Sequence, residues 1–455
     1  MPTDPSDKPF RFIRELRHNA PFVRRNHRLG VTAGMFAGLA RDFLHPDLIL
    51  AGLIYALTRS WMLVALIPVI NKLGGLGPQL ITGMILEHRP TRRPFFIGLT
   101  FVRSAAYAAL GGTILLLAGE VSTLHLVLFY GVYMVCSVTN GMGYVTFMDM
   151  VGRLIPTHRV GALFGMREFL GGVLSLVAGI AIIQPILSSQ IHLPMAYALL
   201  VGIGTLLIAV DMGTWCFCRE RPGPRAPRRS NFPEMVRQGF RWLRADHNYR
   251  CYFWSRVSFR MCHLGLVFFI PYGTEQLGYE KTTGGLALMG GLLVAVFKLS
   301  SVLGSFLWGR LADRHGSRLT MIWGGVFLTL APLAALGCVR LPEAFSLPLP
   351  WVEARLTLPL AGYLVSLSCL AIGIRAIVLG GHRFLVTTAP PDRRAAYVGF
   401  LNTITSPLTL LPPVGAWVAV RFGMETLFWG IVVGGVLALG AAVAMRDDRH
   451  LTNGT

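Results

Sequence analysis

Long apolar runs dominate this chain, and short polar or basic stretches separate them. A helix crossing a hydrocarbon core of ~30 Å needs about 20 apolar residues. The runs predict twelve such spans, at 30–57, 62–87, 95–118, 122–147, 161–186, 194–216, 252–276, 284–309, 318–339, 357–381, 396–420 and 425–445. The first two depend on where their turn is placed. Reading 47–70 as one helix leaves only 75–87 before the basic turn, a rise of about 20 Å and too short to cross. Setting the turn at Thr58-Arg59-Ser60-Trp61 makes both helices long enough, and puts Arg41, Asp42 and Lys72 inside the membrane.

Composition supports lipid as the solvent. Of 455 residues, 53% are hydrophobic and 14% charged, with a mean hydropathy of +0.56. Soluble domains carry about 25% charged residues. The net charge of +20 would suggest nucleic acid in a soluble protein. Here the basic residues sit in loops on one side, so no nucleic-acid partner is expected. Seven cysteines are scattered without metal-ligand spacing, Cys216 and Cys218 included.

Lys and Arg asymmetry sets the orientation. Most lie in the N-terminal segment, the loops near 88–94, 150–160, 217–250, 310–318 and 382–394, and the tail; the opposite loops hold few, among them Arg59, Lys281, Arg340 and Arg355. Both termini are therefore expected in the cytoplasm of a multi-pass cell-membrane protein. No short apolar core with a cleavage site precedes the first span, so no cleaved signal peptide is expected. The expected organisation is a basic N-terminal segment (1–29), a six-helix bundle (30–216), a linker (217–250), a second six-helix bundle (251–445) and a tail (446–455). Within the linker, Phe232 to Trp242 reads as an amphipathic helix suited to the anionic inner leaflet.

The two bundles repeat each other. Gly83 to Glu87 and Arg92 align with Gly309 to Asp313 and Arg318, while Pro156, Arg159 and Gly165 align with Pro390, Arg393 and Gly399. Parallel six-helix repeats are a transporter design. The stretch Gly309-Arg310-Leu311-Ala312-Asp313-Arg314-His315-Gly316-Ser317-Arg318 resembles the G-x-L-A-D-R-x-G-x-R loop signature of the major facilitator superfamily. Gly309 and Gly316 are expected to permit a tight turn, and Asp313 to accept from helix N-termini or Arg groups. The resemblance implies an all-α fold of twelve transmembrane helices in two pseudo-symmetric bundles. It also implies that Gly309, Asp313, Arg314, Gly316 and Arg318, with Glu87 and Arg92 in the first repeat, latch one conformation during alternating access. The first-repeat loop lacks the Asp and the second Gly.

Charges inside spans point to function by default. Lys72 and Lys298, two of only four lysines, are separated by the same spacing as Glu87 and Asp313. With Arg41, Arg260 and Arg375 they form, under the resemblance, a mid-depth positive ring suited to an anionic solute, with His263 one turn from Arg260. The alternative is structural pairing: Arg41 with Asp42 or Asp47, and Arg167 with Glu168. Asp42, Asp47 and Glu168 are candidate proton carriers, since burial raises a carboxyl pKa. Glycines such as Gly75 and Gly171 are expected to permit close helix packing.

The leading expectation is a secondary transporter of a small anionic or amphiphilic organic solute, acting as a monomer in the lipid bilayer without a cofactor. Two alternatives stay open: a proton-coupled drug or metabolite efflux antiporter, and a transporter-like receptor or assembly factor without flux. No lysine follows a glycine, so there is no P-loop, and no metal or nucleophile motif suggests an enzyme.

Overall fold

The structure is a computed structural model that describes residues 20–58, 60–76, 78–117, 121–188, 191–220, 222, 231–266, 268–277, 285–342, 346–348 and 355–446. It is built of helices: α1 (Ala20–Phe43), α2 (Ala51–Thr58), α3 (Trp61–Leu76), α4 (Gln79–Glu87), α5 (Arg93–Leu116), α6 (Thr123–Leu154), α7 (Val160–Ala178), α8 (Leu193–Cys216), α9 (Phe232–Ala245), α10 (His247–Leu266), α11 (Phe269–Gln276), α12 (Gly285–Cys338), α13 (Leu358–Thr388), α14 (Arg394–Thr405), α15 (Pro412–Phe422) and α16 (Met424–Val443). Two three-residue strands, β1 (Ser346–Pro348) and β2 (Arg355–Thr357), pair antiparallel with Leu347 opposite Leu356. The sequence reading did not anticipate them.

Each predicted span falls on helix, but eight helices among the described residues are long and apolar enough to cross a membrane. One of these, Leu292–Cys338, runs through two predicted spans. Its kink lies at Gly316, with φ 87° and ψ 170°. That backbone region is open only to glycine. Gly309, expected to share the turn, lies in regular helix instead. Three predicted spans are absent from the eight, each for a local reason. A π-helical turn at Pro46–Leu50 interrupts 30–57. The helix α10 carries Arg250, Arg256 and Arg260 and stops at Leu266. A 3-10 turn at Ser406–Leu410, followed by Pro412 and Pro413, interrupts 396–420.

Large apolar side chains stand outward on these helices, Met62 at 80%, Phe101 at 74% and Leu206 at 68% exposure among them. In water such a surface would aggregate; in lipid it is matched to its solvent.

Two compact units emerge from the packing. The first takes the chain up to Phe240 together with Phe384–Ser406. The second takes Arg241–Arg383 and Pro407–His450. The sequence reading kept 251–445 as one bundle; here α14 packs with the first unit. The reason is steric. Gly83 of α4 lies against the backbone of Ala395 and Ala396, and Gly399 of α14 against that of Gln79 and Leu80. Side chains on either glycine would force the helices apart.

Within the first unit, α1 and α7 approach closely where Gly38 meets Gly171, and Ser175 Oγ donates to Gly38 O at 3.0 Å. Likewise, Gly75 at the end of α3 meets Gly141 of α6. The amphipathic helix α9 does not reserve its apolar face for lipid. Met235 is buried, and Gly239 admits the Phe400 ring of α14. Phe240 meets the same ring edge-on at 5.4 Å. An apolar face that finds an apolar protein groove leaves mainly its basic side outward.

The second unit has an aromatic centre. Phe428 of α16 lies 4.6 Å from Phe269 and 4.4 Å from Tyr272, ring centre to ring centre. The Tyr363 hydroxyl donates to Phe269 O and so ties the start of α11 to α13.

Candidate functional site: a buried charge cluster and two motif loops

The strongest concentration of buried charge lies where α4, α5, α6 and α14 meet in the first unit. Asp149 of α6 is fully buried and accepts from Arg92 Nε at 2.5 Å and from Arg153 Nε at 3.2 Å, both on Oδ2. Arg153 is one turn along the same helix, so α6 itself sets that pair. Arg92 comes from the loop opening α5. Its position is fixed by Glu220, whose carboxylate accepts from the backbone N–H of Arg92 and of Arg93 at 2.8 Å. A carboxylate there also matches the positive end of the α5 dipole. Burial pulls the Arg92 guanidinium below its ordinary pKa, and Asp149 opposes that shift.

Arg394, first residue of α14, is 6% exposed and reaches over Gly152 of α6, between Asp149 and Arg153. A Cβ on Gly152 would fall inside the Arg394 guanidinium. Further along α14, Asn402 Nδ2 donates to Gln79 Oε1 at 2.5 Å, and Gln79 Nε2 donates to Gly75 O at 2.8 Å. Glu87 is buried at the end of α4, within electrostatic range of Arg393, Asp392, Arg92 and Asp149.

The second unit carries the other motif segment, at the α12 kink. Arg383 of α13 lies 3.7 Å from Asp313 and donates through Nη1 to Ser317 Oγ at 3.1 Å. Arg318 Nη2 donates to Val443 O of α16 at 2.9 Å. Arg314 is exposed.

The mid-span charges are placed as follows. Arg41 pairs in two-pronged fashion with Glu168 of α7, at 3.3 and 3.1 Å. Asp42 acts on Arg41 electrostatically as well. Arg167 donates to Gly30 O at 2.6 Å and stacks on Phe147 at 4.5 Å, with Glu168 within electrostatic range. Lys72 on α3 and Lys298 on α12 are exposed in their own units. Arg375 of α13 donates through Nε to Ser301 Oγ at 2.5 Å. Ser301 lies one turn after Lys298, so the two cations share a neighbourhood. Arg260 is half-buried on α10, and Asp42 half-buried on α1. The side chains of Asp47 and His263 lie outside the described residues. The Cys218 thiol, just past α8, is pushed up to about 12 by burial, which makes it an inert core group.

Sequence reading missed Asp149, Arg153, Arg394, Gln79, Asn402, Glu220 and Arg383. One signal was available: Asp149 precedes Pro156 by the same spacing as Arg383 precedes Pro390.

The architecture defines a helical protein with repeated apolar helices and ion pairs at its two motif segments. Its fold is that of the major facilitator superfamily, and residues 287–454 match that superfamily's model. A multi-drug resistance efflux pump PmrA homolog of Lactococcus lactis is 28% identical over 178 residues, covering 39% of this chain and 38% of that protein. The chain thus matches less than two-fifths of the length of that curated relative. A bacterial homologue of the iron transporter ferroportin, solved in an outward-facing state, superposes with a TM-score of 0.70 at 14% identity, covering 92% of this chain and 98% of that one. The human organic anion transporter MFSD10 superposes at 0.64 with 14% identity, covering 93% and 99%. These likenesses establish the fold.

Proposed function

We propose that the protein is a secondary active transporter working by alternating access, with twelve spans and both termini cytoplasmic, and that it moves a small anionic or amphiphilic organic solute. The observation that carries the transporter reading is the polar contact between α4 and α14. These helices come from opposite sequence repeats, yet Gln79 and Asn402, 323 residues apart, meet in one hydrogen bond. A contact made of one amide pair, facing glycines and a charge cluster can open and close at modest cost, whereas a continuous apolar core resists repeated separation.

The anionic preference rests on Lys72, Lys298, Arg260 and Arg375. Lys72, late in α3, and Lys298 on α12 stand at repeat-related positions and are exposed, and Ser301, one turn after Lys298, accepts from Arg375. Lipid is a poor neighbour for an ammonium group, so a polar path is the favoured location. Arg41 contributes less charge to such a path, because Glu168 neutralises it. Export of drugs or metabolites against protons is the second reading. It is favoured by the efflux pumps that the chain resembles over part of its length, and Glu168 and Asp42 are its candidate proton carriers.

Uptake into proteoliposomes tests both readings. Purified protein should accelerate flux of labelled organic anions in response to a solute or proton gradient. Flux equal to that of empty liposomes across a panel of anions and cationic drugs would refute transport and leave the receptor reading.

A further inference from the structure

Three guanidinium groups converge on one turn of α6. Arg92 and Arg153 bind the same oxygen of Asp149, and Arg394 lies over Gly152 between Asp149 and Arg153. Their exposures are 0%, 5% and 6%. Four of their nitrogens are buried without an acceptor among the described residues: Arg92 Nη1, Arg153 Nη2, and Arg394 Nε and Nη1. Asp149 does not close this deficit, because its Oδ1 is itself buried without a donor. Other charges act on the cluster from further away: Glu87 at the end of α4, Glu220 at the start of α5, and Asp392 and Arg393 before α14. Glu220 is already engaged by two backbone N–H groups. No side chain caps α14, so the positive end of its dipole adds to the same region.

Buried cations in excess over their carboxylates are costly unless an anion balances them. We propose that Arg92, Arg153 and Arg394 bind a small monovalent inorganic anion of the chloride class, which bridges α6 to the start of α14. The burial selects the size: a group attached to a lipid or a larger oxyanion would need an opening that three side chains this enclosed do not offer. The proposal rests on the buried guanidinium groups alone and does not depend on which solute is moved.

The test is thermal unfolding of the purified full-length protein in detergent, with sodium chloride exchanged for sodium gluconate at constant ionic strength. A ligand that binds only the folded state raises the transition with a saturating dependence on its concentration. Chloride and bromide should raise the midpoint by several degrees over gluconate. Arg394→Gln should lose most of that rise. Asp149→Asn, which removes the internal anion, should depend on chloride more strongly than the unmodified protein. The proposal is overturned if the unmodified protein melts at the same temperature in both salts, or if Arg394→Gln keeps the full chloride response. A rise with phosphate or sulfate and none with chloride would overturn the assignment of a small monovalent ion. Should Arg394→Gln fail to fold, the unmodified protein in the two salts still decides.

Discussion

Replacing Asn402 with Leu keeps the side chain's size and removes its donor. The partner, Gln79, is 4% exposed, and Asn402 is 1% exposed, so no water replaces the lost bond. Gln79 Nε2 retains Gly75 O, but Oε1 is left without a donor. A buried polar group stranded this way costs about 1–3 kcal/mol. Hydrogen bonds between membrane helices average nearer ~0.6 kcal/mol, with a maximum near ~1.7. This site is enclosed between helices, which places the expected cost of Asn402→Leu at about 1–2 kcal/mol. Gln79→Leu should cost a similar amount. The double variant leaves neither amide stranded and should recover about 1 kcal/mol of the summed loss. The assay is a double-mutant cycle, measured by unfolding in a fixed lipid–detergent mixture under SDS titration. Independent sites add to within about 0.3–0.5 kcal/mol. Additivity within that margin would refute the pairing and with it the idea that the amides hold α4 to α14.

Three further outcomes follow from the same geometry. Gly316→Ala forces a Cβ into φ 87°, ψ 170°, and should lower stability by about 1–3 kcal/mol in the same unfolding assay; an unchanged midpoint would mean that the α12 kink has another backbone solution. Asp313→Asn should slow conformational exchange more than it weakens substrate binding, because Arg383 rather than any solute is its partner; single-molecule exchange rates alongside binding isotherms would separate the two. Lys298→Met and Lys72→Met should each reduce flux of an anionic substrate while leaving expression and melting near normal, and unaltered flux in both would end the anion reading.

Span positions were legible because lipid imposes one requirement, apolarity over a fixed length. Helix α2 ends at Thr58 and helix α3 begins at Trp61, on either side of the expected turn, whose Arg59 lies outside the described residues. Interruptions were not legible, since the breaks at Pro46 and Ser406 depend on local backbone geometry inside runs that remain apolar. Gly316 was legible as a turn glycine, but Gly309, alike in sequence, stays helical because one φ reversal suffices for the kink. The charge cluster was largely missed. Arg92 and Glu87 were visible through the loop motif, but Asp149 sits within an unbroken apolar helix and Arg394 within a basic loop. Only packing brings them together. The partner of Arg41 was missed for the same reason: neighbours in sequence were considered, and Glu168 is 127 residues away.

The first repeat's loop looks degraded in sequence, because Glu87 replaces the Asp and no second Gly follows. The structure shows a different distribution of the same charges. In the first repeat the helix α6 supplies the acid, Asp149, and the loop supplies the base, Arg92. In the second, α12 supplies the acid, Asp313, just before its kink, and the repeat-related position on α13 supplies the base, Arg383. Either arrangement fastens the motif segment to a neighbouring helix, because attraction does not depend on which element carries which sign. The second repeat should therefore accept the first repeat's arrangement. Its Arg318 corresponds to Arg92 and has a buried Nε without an acceptor among the described residues. Arg383 already reaches Ser317, the neighbour of Arg318, so the double variant Arg383→Asp, Asp313→Asn puts an acid on α13 beside the segment that carries Arg318 and removes the competing acid at 313. Its control, Arg383→Asn with Asp313→Asn, has nearly the same shape without the charge. Hydrogen bonds to a charged partner contribute about 1.5–3 kcal/mol, so the variant carrying Asp at 383 should be more stable than the control by about that amount. Equal or lower stability would show that the two motif segments are fastened by position-specific packing, and that the exchange of signs between repeats has no mechanical meaning.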